Sequence, residues 1–178
     1  MWPGNGLFRA REKQPRRAGS TILPRVALGS SGVGAMADTQ PVDIPVKRGV
    51  VAVARRGEFF LAIRRGELVA APGRLCFPGG HIEPGETEHE AVVRECHEEL
   101  AAMVQPRECV WRSVTSWGTS LAWWTVEVSG ESELVPHPVE VAEILWLSAE
   151  EMIREPTLLE GNRTFLEAVL SGDVRLQG

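Results

Sequence analysis

The stretch GHIEPGETEHEAVVRECHEELAA, running from Gly80 to Ala102, decides how the chain folds. Thr87, with Glu90 three residues on, has the spacing of a capping box, in which each side chain satisfies an otherwise unpaired backbone N–H. A helix is therefore expected to start near Thr87. At about 100° per residue, Val92, Val93, Cys96 and Leu100 fall on one arc, and Glu95, Glu98 and Glu99 on another. His89 falls on the apolar arc and reads as a core histidine. One face packs; the other gathers three carboxylates.

Three carboxylates within two turns repel one another, so the cluster calls for a neutralising cation or for side chains splayed into water. Oxygen-only ligands favour Mg²⁺ or Mn²⁺ over zinc, and Mg²⁺ binds through a few carboxylates, water and substrate phosphates. Zinc is the weaker reading: His81, His89 and His97 form neither of the paired spacings of a zinc protease.

The same 23 residues resemble the Nudix box: Gly, five residues, Glu, seven residues, Arg-Glu, an apolar residue, any residue, Glu-Glu, any residue, Gly, and an apolar residue. Gly80, Glu86, Arg94, Glu95, Cys96, Glu98, Glu99 and Ala102 match it in register, and Ala101 stands where the family has Gly. A left-handed helix end costs Ala more than Gly, so the departure bears on the helix terminus and not on the carboxylates. The resemblance implies an α/β fold, a Nudix-type α/β/α sandwich with a mixed β-sheet. It also implies an Mg²⁺-dependent hydrolase (Mn²⁺ possible in its place) acting on acid anhydrides in phosphorus-containing compounds. Carried over residue by residue, Glu95, Glu98 and Glu99 become metal ligands, with the Gly80 carbonyl a further one. Glu98 is the first choice to assist the attacking water, Arg94 orients the carboxylates, and Glu86 is structural within the box. Glu140 and Glu143 are the candidates for a base outside the box. Glu88 lies outside the fixed positions, and loss of its charge is expected to cost little.

The 178 residues are 43% hydrophobic, enough for one domain with a proper core. No run approaches the roughly 18–20 apolar residues of a membrane span. Cys76, Cys96 and Cys109 form no C-x-x-C pair, which argues against a disulfide framework or structural zinc and for a reducing compartment, the cytoplasm. Residues 1–35 carry six Lys+Arg against one acid, leaving thirteen against twenty-three for the rest. Residues 1–38 are thus read as a basic extension, disordered or outside the native product since Met36 is a plausible start, and 39–178 as the Nudix domain. A mitochondrial address enters only if that Arg-rich segment is a transit peptide.

Along the chain, Arg48–Ala54 and Glu58–Arg64 are expected to form a hairpin, and Leu75–Phe77 a short strand delivering the box. Cys109–Ser116 and Leu121–Val128 are joined across Trp117-Gly118-Thr119. Val139–Leu147 is a further strand, Ala149–Ile153 a short helix, and Leu159–Leu170 a last helix packing through Leu166, Val169 and Leu170.

Substrate is less legible. Trp111, Trp117, Trp123, Trp124 and Trp146 suit a core, with base stacking as the alternative. The chain lacks Tyr, a marker of diadenosine polyphosphate hydrolases, the Pro expected beyond the box in ADP-ribose hydrolases, and the Pro-rich marker of NADH diphosphatases. Leu61, Arg64, Gly73 and Phe77-Pro78-Gly79-Gly80 partly match a coenzyme A hydrolase pattern, which makes Arg64 a substrate-binding candidate. The expected partner is a small nucleoside diphosphate derivative, with nucleoside triphosphates the leading choice and coenzyme A or nucleotide-sugar diphosphates the alternative. Neither membrane nor nucleic acid is expected, and a homodimer is open. Two other classes also use this fold: a nucleotide-binding regulatory module, and a prenyl-diphosphate isomerase, for which Cys76 would be catalytic.

Overall fold

The computed structural model describes residues 47–129 and 133–177; the expectations for residues 1–38 lie outside them. The strands are β1 (Arg48–Arg56), β2 (Phe59–Arg65), β3 (Leu75–Cys76), β4 (Val104–Val114), β5 (Ser120–Val128) and β6 (Val141–Leu147). The helices are α1 (Glu88–Leu100), α2 (Ala149–Arg154) and α3 (Glu160–Ser171). The sheet runs β3-β2-β1-β5-β4, with β6 also paired to β2. It is mixed, since β1 lies parallel to β5 while the other pairs are antiparallel.

β1 is apolar almost throughout because both of its faces are covered. Val50, Ala52 and Ala54 pack with Ala91, Val92, Cys96 and Leu100 of α1. Val51 and Val53 point the other way, into a second cluster with Met152 of α2 and Phe165 and Leu166 of α3. Helices on both faces of a mixed sheet make the expected α/β/α sandwich.

Thr87 caps α1 as a capping box: its hydroxyl accepts from the Glu90 N–H while the Glu90 carboxylate accepts from the Thr87 N–H. At the other end Ala101 takes the left-handed conformation at φ 52°. The chain therefore keeps the helix stop that a Gly would give, at an energetic cost.

Four expectations need correcting. β4 begins at Val104, five residues before Cys109, because it is the sheet edge, where Pro106, charged residues and bulges are tolerated. Of the expected face of α3, Leu166 is buried and Val169 packs partly buried on the second cluster, but Leu170 is exposed and Asn162 and Phe165 complete the buried face. His89 is exposed and meets the ring of Trp124 edge-on at 4.3 Å. Glu88 is no bystander. Its carboxylate accepts from Arg48 of β1 at 3.1 Å, from Arg112 of β4 at 2.9 and 3.0 Å, and from the Trp124 indole of β5 at 3.0 Å. The Arg112 bonds lead in holding this carboxyl below its usual range. The first residue of α1 is thereby tied to three strands, and a wheel of α1 alone cannot show it.

Ala101→Gly is expected to stabilise the protein by about 1 kcal/mol by relieving the left-handed alanine. For a chain of this size that is a rise of about 2–4 °C in the thermal midpoint, read by calorimetry.

Candidate active site

The box loop reaches the sheet through its backbone. The Val50 N–H donates to the Gly80 carbonyl, the Ala52 N–H to the Pro78 carbonyl and the Ile82 N–H to the Arg48 carbonyl, at 2.9, 2.9 and 3.0 Å. Residues 78–82 thus continue the sheet beside β1. Two glycines make this approach possible. Gly79 has φ 144°, and a Cβ there would lie 2.2 Å from the Val50 carbonyl oxygen. A Cβ on Gly80 would lie 2.3 Å from Glu95 Oε1, so the Glu95 carboxylate rests against bare backbone.

Arg94 organises the carboxylates. Its Nε and Nη2 donate to the two oxygens of Glu86 at 2.8 and 3.0 Å, a bidentate pair. Nη1 donates to both Glu95 and Glu98 at 3.0 Å, and Nη2 also to the His81 carbonyl at 2.8 Å. Glu86 thus pairs with Arg94, and Arg94 in turn contacts both Glu95 and Glu98. The Arg94 hydrogen bonds lead in lowering the Glu86 carboxyl, and the Glu86 bond leads in raising the already high Arg94.

Glu99 lies apart from Arg94. It is 4% exposed and its carboxylate accepts the Gly79 N–H at 3.0 Å. Burial, reinforced by the charges of Glu95 and Glu140, pushes its carboxyl up to about 8 against the pull of Gly79 and Arg65. Glu95 is raised as well, chiefly by burial, with Arg94 opposing. Glu98 is largely exposed.

Glu140 reaches this cluster because the loop before β6 is pinned to the end of α1. The Val135 N–H donates to the Leu100 carbonyl and the His137 N–H to the Glu99 carbonyl, at 2.9 and 2.8 Å. Gly66 donates to the Glu140 carbonyl at 2.7 Å, and a Cβ on Gly66 would lie 2.0 Å from the Val139 oxygen. Glu143 lies elsewhere, paired with Arg64 at 3.1 Å. Arg64 also donates to Thr157 at 3.1 Å, so it could meet a substrate only by giving up these contacts. Arg65, missed in the sequence, is the cation that acts on Glu99. A shift in the β2–β6 register falls between Arg64 and Arg65, and that bulge decides which arginine faces the site.

Among the described residues no three His, Cys, Asp or Glu side chains converge as a ready-made metal cage. The donor set nonetheless suits a hard divalent cation. Glu95 and Glu99 are oxygen donors whose burial disfavours their charged forms, and a cation between them would relieve that penalty.

The family model of the NUDIX domain matches residues 44–169. This chain belongs to the Nudix family. It is 35% identical over 95 residues to Nudix hydrolase 3 of Caenorhabditis elegans, covering 53% of this chain and 33% of that one. It is 31% identical over 111 residues to the NAD-capped RNA hydrolase NudC of Deinococcus radiodurans, covering 61% and 38%. The chain thus spans little more than a third of the length of these curated relatives. Among solved Nudix-fold structures, the E. coli ORF135 protein superposes with TM-score 0.60 at 29% identity, covering 70% of this chain and 89% of that one. The MutT protein of Methanosarcina mazei Go1 superposes with TM-score 0.62 at 24% identity, covering 71% and 94%. Members of the Nudix family use divalent metal ions.

A raised Glu99 means that the folded protein holds this proton more tightly than the unfolded chain, so stability falls as pH rises from 4.5 to about 8 and the loss is complete above that. In chelator-treated protein the thermal midpoint is expected to decline across this window, and Glu99→Gln should flatten the decline. Mg²⁺ should raise the midpoint more at the alkaline end than at the acid end, because there it no longer competes with the proton. Differential scanning calorimetry against pH checks all three.

Proposed function

We propose that this chain is a divalent-cation-dependent pyrophosphohydrolase that cleaves a nucleoside diphosphate linked to another moiety. The observation that carries the reading is the Arg94 network, which holds Glu95 and Glu98 in place beside buried Glu99. Glu95, Glu98, Glu99 and the Gly80 carbonyl would hold Mg²⁺, or Mn²⁺ in its stead. When bound, such an ion supplies charge neutralisation at the diphosphate and eases attack at phosphorus.

The remaining work falls to the chain itself. Glu98, exposed and among the described residues bonded only to Arg94, is the carboxylate best placed to assist the attacking water by taking its proton. The water oxygen joins phosphorus, the bridging phosphorus–oxygen bond breaks, and the leaving phosphate keeps its electron pair. Arg94 fixes the direction of the Glu98 carboxylate, and Gly79 fixes that of Glu99. Between the outside candidates, the placement favours Glu140, which acts on Glu95 and Glu99, over Glu143, which is engaged by Arg64.

Two competing classes lose support. Cys76 is buried and its thiol is pushed up to about 12, chiefly by burial, the opposite of an isomerase nucleophile. A purely regulatory module would have no need of the complete set of carboxylates. Nucleoside triphosphates stay the first substrate choice. Dinucleotide diphosphates are a second reading, favoured by the two NAD-capped RNA hydrolases among the relatives. The free cysteines among the described residues fit the cytoplasm, and no helix there is long and apolar enough to cross a membrane.

Glu98→Gln should lower kcat by roughly 10²-fold or more, while the thermal midpoint stays level or rises as one like charge leaves the cluster. Glu143→Gln should retain activity, and Glu140→Gln should fall between the two. A panel of nucleoside triphosphates, NAD and NAD-capped RNA, assayed for phosphate release with coupled phosphatase, is the measurement. Near-normal hydrolysis by Glu98→Gln together with collapse of Glu140→Gln would falsify the assignment and move the base to Glu140.

A further inference from the structure

Five of the six tryptophans lie among the described residues, and four of these are committed to the fold. Trp123 is fully buried and stacks on Phe165 at 4.5 Å, and Trp111 stacks on the same ring at 5.3 Å. Trp124 donates to Glu88 and meets His89. Trp146 lies under the Arg56 guanidinium at 4.3 Å. Trp117 differs: it is 74% exposed, and it has no aromatic, cationic or hydrogen-bonding partner among the described residues.

The turn that presents Trp117 is held without the indole. The Thr115 N–H donates to the Thr119 carbonyl, the Gly118 N–H to the Thr115 carbonyl and the Thr119 N–H to the Thr115 hydroxyl, each at 2.9 Å. Thr119 is buried, and Gly118 supplies the left-handed step at φ 84°. Such a turn would form with many residues at position 117, so folding does not account for a large aromatic side chain left in water. Three hydrogen bonds brace the turn around it, which lowers the entropic cost of placing a ligand against it.

Its position relative to the carboxylates follows from the register. Ser120 pairs with Arg48 and Leu121 with Gly49 in the parallel β1–β5 ladder. On its other side Gly49 bridges to His81, and a Cβ on Gly49 would lie 2.8 Å from the Gly80 carbonyl oxygen. Ser120, where β5 begins, and the loop that carries Gly80 therefore stand at the same end of the sheet, two strand spacings or roughly 10 Å apart, and Trp117 lies three residues before Ser120 on the turn beyond it. An extended nucleotide with its phosphates beside Gly80 would run its base toward this end of the sheet.

We propose that Trp117 is the platform on which the planar base of the substrate stacks while its diphosphate lies at Glu95, Glu98 and Glu99. This rests on the nucleoside pyrophosphohydrolase reading and specifies how the non-phosphate end is held. Every base has a π-face, so stacking on an indole selects for an aromatic group without choosing among bases. Trp117 is a specificity residue that contributes to substrate binding and leaves the bond-breaking step to the carboxylates.

The test compares the full chain with Trp117→Phe and Trp117→Ala, using calorimetric binding in Mg²⁺ of two non-cleavable probes. One is α,β-methylene-ADP; the other is methylenediphosphonate, which has the phosphates and no base. Trp117→Ala should weaken α,β-methylene-ADP by roughly 5- to 100-fold and Trp117→Phe by less, while methylenediphosphonate binds all three proteins alike. Unchanged nucleotide binding by Trp117→Ala overturns the proposal, as does equal weakening of both probes or no binding of α,β-methylene-ADP by the unaltered chain. The carboxylate assignment fails by a different readout, since it is decided by hydrolysis in Glu98→Gln.

Discussion

The site and much of the local fold depend on one guanidinium. Arg94 spends its donors on Glu86, Glu95, Glu98 and the His81 carbonyl, and in doing so joins the loop before α1 to the middle of that helix. Without it, Glu95, Glu98 and Glu99 would leave a helix dominated by like charges against a partly apolar sheet. Arginine suits the place because its planar fork offers five fixed donors and never loses its charge. A lysine would offer a point charge with no bidentate hold on Glu86. The protein can therefore fold its acidic helix before any cation arrives.

What Arg94 leaves uncovered is as informative as what it covers. Glu99 is buried beyond its reach and, among the described residues, has only the Gly79 N–H as a hydrogen-bond donor, with Arg65 acting from a distance. The surroundings thus divide the carboxylates into a solvated one, Glu98, one shared with Arg94, Glu95, and one held in a dry position, Glu99. Burial raises the proton affinity of two of these chemically identical groups, Glu95 and, more strongly, Glu99.

The box was legible in the sequence because its information is local. Helix periodicity, the Thr87–Glu90 cap and the Arg94-Glu95 pair all lie within a few turns of one helix, and the structure places them as read. Residues whose roles depend on distant strands were not legible. Glu88 looked dispensable because its partners Arg48, Arg112 and Trp124 come from three strands far along the chain. His89 looked buried because the wheel of α1 does not show where the sheet ends. The start of β4 was missed because Pro106 and its charged neighbours read as a breaker until the strand is known to be an edge. Arg64 was read for the site and Arg65 was missed, since a one-residue shift reverses which side chain faces the site. The candidate Glu140 was visible as an acid, but its nearness to Glu95 and Glu99 comes from a loop held by the carbonyls at the end of α1.

The parallel pairing of β1 with β5 also governs the order in which this protein can be assembled. Arg48 meets Ser120 only after the whole of β2, β3, α1 and β4 has been made, and the β2–β1 hairpin and α1 can form long before that. Closing so long a segment costs chain entropy before the contact returns anything, which makes such pairings slow. On a ribosome, the box helix would emerge with its cap and its Arg94 fan while one edge of β1 still lacked its neighbour. During that interval the nascent chain exposes an apolar strand edge beside an acidic helix. The like charges of that helix, borne by the same carboxylates that would serve chemistry in the finished protein, disfavour close approach of two such intermediates.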